Sequence, residues 1–386
     1  MSMKTVKLGD ICDVVSGGTP SRAKSEFWQG GTIPWIKIGN IKGKYVSEAD
    51  EYITKAGLDG SSAKMLPRGT ILFTIFATLG EVGILDIEAC TNQAIAGISV
   101  RDTSRVQQDY LYYYLKSKKS YVDGIGRGVA QNNINMSLLR DFSVPLPEIE
   151  QQNEIVMILD RVSAVIACRK QELSSLDDLI KARFVEMFGD PVSNPKGWEK
   201  KALSEEAEIK IGPFGSLLHK EDYITGGHAL VNPSHIVDGK IAPDGNLTIS
   251  DEKYDELSAY HLRTGDVVMG RRGEMGRCAV VEKPGLLCGT GSLLIRSNGD
   301  LSADYIQKII SFPSFKRTIE DMAVGQTMPN LNVPIVSAFQ IIKPPKNVQD
   351  QYYAFVAQVD KSKVVVQESL KEAQLLFDSL MQKYFG

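Results

Sequence analysis

The feature that most constrains this sequence is that it is written twice. Sliding the chain along itself by about 195 to 197 residues brings like residues together in order. Leu8 meets Leu203, Gly17 meets Gly212, Ser21 meets Ser216 and Ile41 meets Ile236. Further along, Leu66 meets Leu262, Gly69 meets Gly265, Gly80 meets Gly276, Asn133 meets Asn330 and Asn135 meets Asn332. Phe142 then meets Phe339, Pro147 meets Pro344, Gln152 meets Gln349, and Phe188–Gly189 meets Phe385–Gly386. The offset drifts by a residue or two, as short loop insertions require. The 386 residues suffice for two related domains with further elements between them.

Each copy has two parts. The first, 1–148 and 191–345, is punctuated by Gly and Pro, and its apolar runs are short. This pattern predicts strands at Thr32–Ile38, Thr70–Phe76, Ala94–Val100, Asp266–Gly270, Cys278–Glu282 and Ser292–Arg296. A helical patch at Asp109–Ser117 has a counterpart starting at Asp304. In the second part, 149–190 and 346–386, Gly and Pro vanish and a heptad runs for more than four repeats. Its seam is Ile155, Leu159, Val162, Ile166, Leu173, Leu176, Ile180 and Met187. The other copy has Tyr352, Val356, Val359, Val366, Leu370, Phe377, Leu380 and Tyr384. Arg169, Arg183 and Lys363 interrupt the seams, where they could set register, pair with acids opposite or snorkel on long stems. Pro147, Pro344 and Pro345 precede the helices, and Gly189 and Pro191 end the first. The fold class expected is α+β: two duplicated Gly-rich mixed α/β domains separated by two long helices that pair antiparallel as a coiled coil. The alternative is that each helix docks on a different protein.

The chain is 43% apolar and 24% charged, an ordinary globular balance. No apolar run reaches the roughly 18 residues of a membrane span, and no signal-peptide pattern opens the chain, so no membrane role is expected. Cys12, Cys90, Cys168, Cys278 and Cys288 form no CxxC and read as reduced, buried thiols of a cytoplasmic protein. The net charge of −3 argues against a DNA-binding domain acting alone, so any DNA footprint must be a local patch.

Enzyme motifs are absent. Asn232-Pro-Ser-His235 lacks the aromatic residue of an adenine methyltransferase site, and no phosphate loop occurs. Asp244, Asp251 and Lys253 carry nuclease-type groups but read as solvated loop. His219, His228, His235 and His261 show no metal-site spacing with Cys, and no metal site is expected.

Two related domains on a rod suit DNA, whose surface repeats with its helical turn. The candidate DNA contacts are Arg271, Arg272 and Arg277 in an expected strand–turn–strand tip, with His235 in a polar loop. In the first copy they are Lys37, Asn40, Lys42 and Lys44 near a turn, and Arg22 and Lys24 beside Gly17–Gly18. Arginine suits guanine or phosphate, asparagine adenine and lysine phosphate.

Ser16-Gly-Gly-Thr-Pro-Ser21, Ile33-Pro-Trp-Ile36, Gly39-Asn-Ile41, Gly69-Thr-Ile-Leu72 and Gly80-Glu-Val-Gly83 resemble the start of a target recognition domain. Gly265-Asp-Val-Val268 and Gly325-Gln-Thr-Met-Pro-Asn-Leu-Asn332 resemble its middle and end. Together with Pro145-Leu-Pro-Glu-Ile-Glu-Gln-Gln152 opening a long helix, the whole chain resembles the specificity subunit of a type I restriction–modification system. That resemblance implies two recognition domains, each reading one half of a split, asymmetric double-stranded DNA target. It implies a helical spacer that docks two methyltransferase subunits, with restriction–translocation subunits where the system has them. It implies a non-catalytic chain that binds no cofactor; S-adenosylmethionine, ATP and Mg belong to the partners. The second copy departs at Gly212-Pro-Phe-Gly-Ser216 and Leu230-Val-Asn-Pro233, which puts the alignment of its first strands in doubt. Reading residues differ between family members, so none is carried over. The competing reading is a non-catalytic protein scaffold with duplicated interaction domains.

Overall fold

The computed structural model describes residues 5–126, 133–323 and 330–386. Gly325 to Pro329 of the second copy's end motif lie outside them. The chain divides into two compact units, 1–172 with 365–386, and 173–364.

In the first unit a five-stranded sheet runs in the order Cys12–Ser16, Ile95–Val100, Ile71–Thr74, Val82–Leu85, Tyr45–Val46. Its neighbours are antiparallel except for the last pair, which is parallel. A three-stranded sheet places Ile33–Ile36 between Glu51–Ile53 and Cys90–Thr91, parallel to the latter. The central strand is apolar on both faces because each face meets a core. Ile71 and Phe73 pack with the tyrosines of helix Gln108–Ser117, while Leu72 packs with Ile36 and Leu85. Alternation with period two sends successive side chains to opposite layers. The Gln107 side chain caps that helix by accepting from the Tyr110 amide at 2.6 Å.

The second unit repeats the plan. A four-stranded sheet runs Ala207–Ile211, Ser292–Ser297, Val267–Gly270, Cys278–Val280. Val267 and Met269 face one core and Val268 the other. His228–Val231 lies parallel to Leu286–Cys288, as Ile33–Ile36 lies to Cys90–Thr91. The Leu230-Val-Asn-Pro233 departure therefore leaves the strand pairing intact, because the paired residues are Leu230 and Val231 and the strand ends before Pro233.

Two helices, Ile149–Phe188 and Lys346–Phe385, are each 40 residues long, about 60 Å at ~1.5 Å per residue. A buried glutamine fastens the start of each. Gln152 accepts from the Gln107 amide at 2.9 Å and donates to the carbonyls of Arg105 and Pro147. Gln349 repeats this, accepting from Ser302 and donating to Asp300 and Pro344.

In the first unit the start of the first long helix packs against the end of the second, and in the second unit its end packs against the start of the second. The helices therefore run antiparallel. Ile155, Leu159, Ile180, Tyr352, Val359, Val366 and Phe377 of the expected seam are buried. Val162, Ile166, Leu173, Leu176, Met187, Val356, Leu370, Leu380 and Tyr384 are half-buried. Of the polar interruptions, Lys363 crosses to Asp177 at 2.6 Å. Arg169 donates to Ser369 on the facing helix at 3.2 Å and pairs with Glu172 on its own. Arg183 pairs with Glu186 and lies over Phe355.

The heptad passes over four buried helix side chains. Phe184, Phe188, Met381 and Phe385 leave the seam and enter the globular cores. Phe385 lies 5.2 Å from Tyr110, and Phe188 lies 5.1 Å from Tyr305, the matching residue of the other copy. Cys12, Cys90, Cys278 and Cys288 are buried free thiols, but Cys168 is exposed because its helix position faces outward. Burial pushes the Cys12 thiol up to about 12 and Cys90 to about 11.

Phe188 is wholly buried among aromatic rings, so Phe188→Ala should destabilise the 173–364 unit by about 3–5 kcal/mol. Hydrogen exchange should report lost protection in that unit, with the Tyr110 helix of the other retaining its own.

Candidate nucleic-acid interface

In each unit three loops meet at one end of the main sheet. In the second unit they are the loop after Ala207–Ile211, the tip between Val267–Gly270 and Cys278–Val280, and the turn before Ser292–Ser297. A side chain on Gly212 would place a Cβ 2.0 Å from the Gly289 carbonyl oxygen, and one on Gly17 would sit 2.2 Å from that of Asn92. Only glycine permits this crossing. It draws the first loop against the third in both copies.

The tip is tied down by backbone bonds. The Arg271 amide donates to Gly291 and its carbonyl accepts from Leu331. Arg271 Nε donates to Asn330 Oδ1 at 3.1 Å. Arg271, Arg272, Phe214, Ile211, Thr290 and Gly291 line a cavity of about 380 Å³. Phe214 is 60% exposed there. Among the described residues no carboxylate reaches either guanidinium. Burial, then the neighbouring Arg272 charge, pulls Arg271 below its ordinary pKa.

The same place in the first unit holds Ile75 and Phe76. Ile75 donates to Ala94 and accepts from Ile134 in the same backbone pattern. Phe76 is 49% exposed. Thr19 donates its hydroxyl to the Gln93 side-chain oxygen.

The other sequence candidates lie elsewhere or are already engaged. Arg277 pairs with Glu274 at 2.6 Å and donates to the Pro233 carbonyl. His235 is buried, its Nδ1 2.7 Å from the Leu230 carbonyl oxygen. Arg22 lies 3.6 Å over the Trp28 ring and pairs with Glu51, which also holds Lys37. Asn40 accepts from the Lys37 amide at 2.8 Å, shaping the turn. Lys24 lies over Phe27, and Lys42 is exposed. Lys44 is fixed between Asp109 and Asp160 at 2.8 and 2.6 Å, joining its loop to the first long helix. Burial lowers the Lys44 pKa, but the two carboxylates outweigh it and hold the ammonium above its ordinary value.

Sequence reasoning passed over Phe214, Phe76, Thr19, Gln93, Thr290 and Asn330. For Phe214, Thr19 and Thr290 the available signal was a neighbouring glycine, Gly215, Gly18 and Gly289; Phe76, Gln93 and Asn330 carry no such mark. The nuclease-type groups are separately engaged. Asp244 bonds Asn246, Asp251 pairs with His228, and Lys253 pairs with Asp222 and Glu256. Tyr254 is stacked between His228 and His261 at 3.8 and 3.7 Å. Among the described residues no group of three His, Cys, Asp or Glu side chains could hold a metal ion, and no helix is long and apolar enough to cross a membrane.

The model of the type I restriction modification DNA specificity domain matches this chain twice, over residues 2–177 and 195–374. The chain belongs to that family. It is 25% identical to the type I restriction enzyme MjaIX specificity subunit of Methanocaldococcus jannaschii, over 98% of this chain and 91% of that one. It is 29% identical to the EcoR124I/EcoR124II specificity subunit of Escherichia coli, over 40% of this chain and 39% of that one. Two solved structures share the fold along nearly the whole length. One is the type I restriction–modification S subunit of M. genitalium, with TM-score 0.52 and 15% identity, covering 100% of this chain and 96% of that one. The other is a chain from a study of complex assembly and conformational transition of the type I R-M system. It has TM-score 0.65 and 17% identity, covering 99% of this chain and 97% of that one.

The Arg22–Glu51–Lys37 cluster gives a pH dependence. The Lys37 hydrogen bond, opposed by burial and reinforced by Arg22, holds the Glu51 carboxyl below its ordinary value of 4.5. Its contribution is present above that value and lost as pH falls through the depressed one. Because Arg22 covers Trp28, acidification should change tryptophan emission reversibly below 4.5. Glu51→Gln should show the altered emission at neutral pH, with that titration gone.

Proposed function

We propose that this chain is the sequence-reading adaptor of a type I restriction–modification complex. It reads a bipartite, asymmetric DNA target, one half-site per recognition domain. The observation that carries this reading is the Arg271–Arg272 pair. Four of the candidate cations are neutralised within the chain: Arg22, Lys37, Lys44 and Arg277. Among the described residues the arginines at the second unit's loop end have no such partner, and adjacent like charges favour an external polyanion. In the first unit the equivalent end carries Phe76, Thr19 and Gln93. The two ends therefore differ in chemistry, which suits unlike half-sites.

The chain itself catalyses nothing in this reading. Methylation with S-adenosylmethionine, and any cleavage with ATP and Mg2+, occur in partner subunits. The partners dock on the long helices, whose outer faces expose aliphatic side chains: Met157, Val165, Leu375 and Leu376 in one unit, Leu179, Val185 and Val364 in the other. Contiguous apolar patches mark protein-binding surface, and these positions offer apolar area for one. The complex works in the cytoplasm, beside the DNA it reads.

Selection from random duplex DNA tests the reading, using the protein purified from its host with the partners that accompany it. The expected result is two short, unlike words at one fixed gap. Replacing Arg271 and Arg272 together should erase one word and leave the other. Loss of both words or neither would count against the site, and no enrichment by a folded, partner-bound preparation would favour the protein scaffold.

A further inference from the structure

The two arginines of the second unit's tip differ in how they are held. Arg271 is half-buried, and both its backbone groups are bonded, to Gly291 and to Leu331. Its Nε is bonded to Asn330 Oδ1. That bond fixes the guanidinium plane and leaves the two terminal NH2 groups as a fork. Arg272 is exposed, and among the described residues its guanidinium has no hydrogen-bond or ion-pair partner. One guanidinium is oriented by a side-chain bond and the other, among the described residues, is not.

Neither arginine is needed to build the tip. The equivalent residues of the first unit, Ile75 and Phe76, hold the same place. Ile75 has matching backbone bonds to Ala94 and Ile134, and Phe76 forms the same bridge to Asn133 that Arg272 forms to Asn330. A structural role is thus met without charge. Two adjacent cations, one of them partly desolvated, stand there at an electrostatic cost that no carboxylate among the described residues offsets.

Resting on the DNA-reading function above, we propose that Arg271 is the guanine reader of the second unit's half-site and that Arg272 is its phosphate anchor. Guanine presents O6 and N7 in the major groove, two acceptors that match the paired NH2 groups of a guanidinium. A fork already held by Asn330 loses little freedom on binding, so it suits discrimination between bases. An exposed guanidinium without a partner among the described residues suits a phosphate, whose position carries no sequence information. Asn330 is a positioning residue that acts through Arg271. Phe214 walls the same cavity and presents an apolar ring to the neighbouring base.

The test compares Arg271→Gln, Arg272→Gln and Asn330→Ala in the host-purified, partner-bound protein, by random-duplex selection and by affinity at several salt concentrations. The wild-type selection should give one word containing an invariant G·C pair. Arg271→Gln should lose preference at that pair alone, by roughly 10- to 100-fold, with the other word unchanged as an internal control of folding. Asn330→Ala should relax the same pair more weakly. Arg272→Gln should weaken every sequence alike and lower the salt slope by about 1. The proposal is overturned if Arg271→Gln leaves both words unaltered. It is equally overturned if that variant weakens all sequences uniformly, or if Arg272→Gln changes base preference. Failure of the wild-type protein to enrich any word overturns the DNA-reading function itself, a result distinct from all of these.

Discussion

The fold depends on the aromatic end of each long helix entering a globular core. Phe188 and Phe385 occupy matching positions in the two copies, and each meets the matching tyrosine, Tyr305 or Tyr110. Each core therefore contains residues from both copies of the repeat. A buried phenylalanine is worth several kcal/mol, comparable to the net stability of a domain. The buried glutamines add direction. Gln152 and Gln349 satisfy one amide and two carbonyls each at a helix start, so the helices enter their cores at a set angle.

On this frame the loop ends are free to vary. The glycine crossings at Gly17 and Gly212 and the backbone bonds of each tip hold the loops whatever side chains they carry. That is why Ile75–Phe76 and Arg271–Arg272 occupy the same place. The chemistry at the loop ends can change without disturbing the sheet.

Much of the architecture was legible in the residues. The repeat, the Gly- and Pro-punctuated strands and the heptad are local patterns, and each reflects a periodicity that backbone geometry imposes. The Arg271–Arg277 tip was legible for the same reason, since glycines at 273 and 276 take positive φ between two apolar runs. The state of the charges was not. Lys44 and Lys42 read alike in sequence, yet one is clamped by Asp109 and Asp160 and the other is exposed. Asp160 lies more than a hundred residues from Lys44, and no spacing rule connects them. His235 looked like a polar loop residue and is instead a buried turn closure.

What the sequence determined by itself was the duplicated α+β plan with its two long helices, because hydrophobic periodicity and turn chemistry act over a few residues. What only the tertiary structure decided was which helix residues plug the cores and which cations keep their charge unpaired. Both depend on partners brought together from distant parts of the chain, and attraction between exposed charges is largely screened beyond roughly 10 Å. The arginines at 271 and 272 stand out only once the acids that silence Arg22, Lys37, Lys44 and Arg277 are seen beside them.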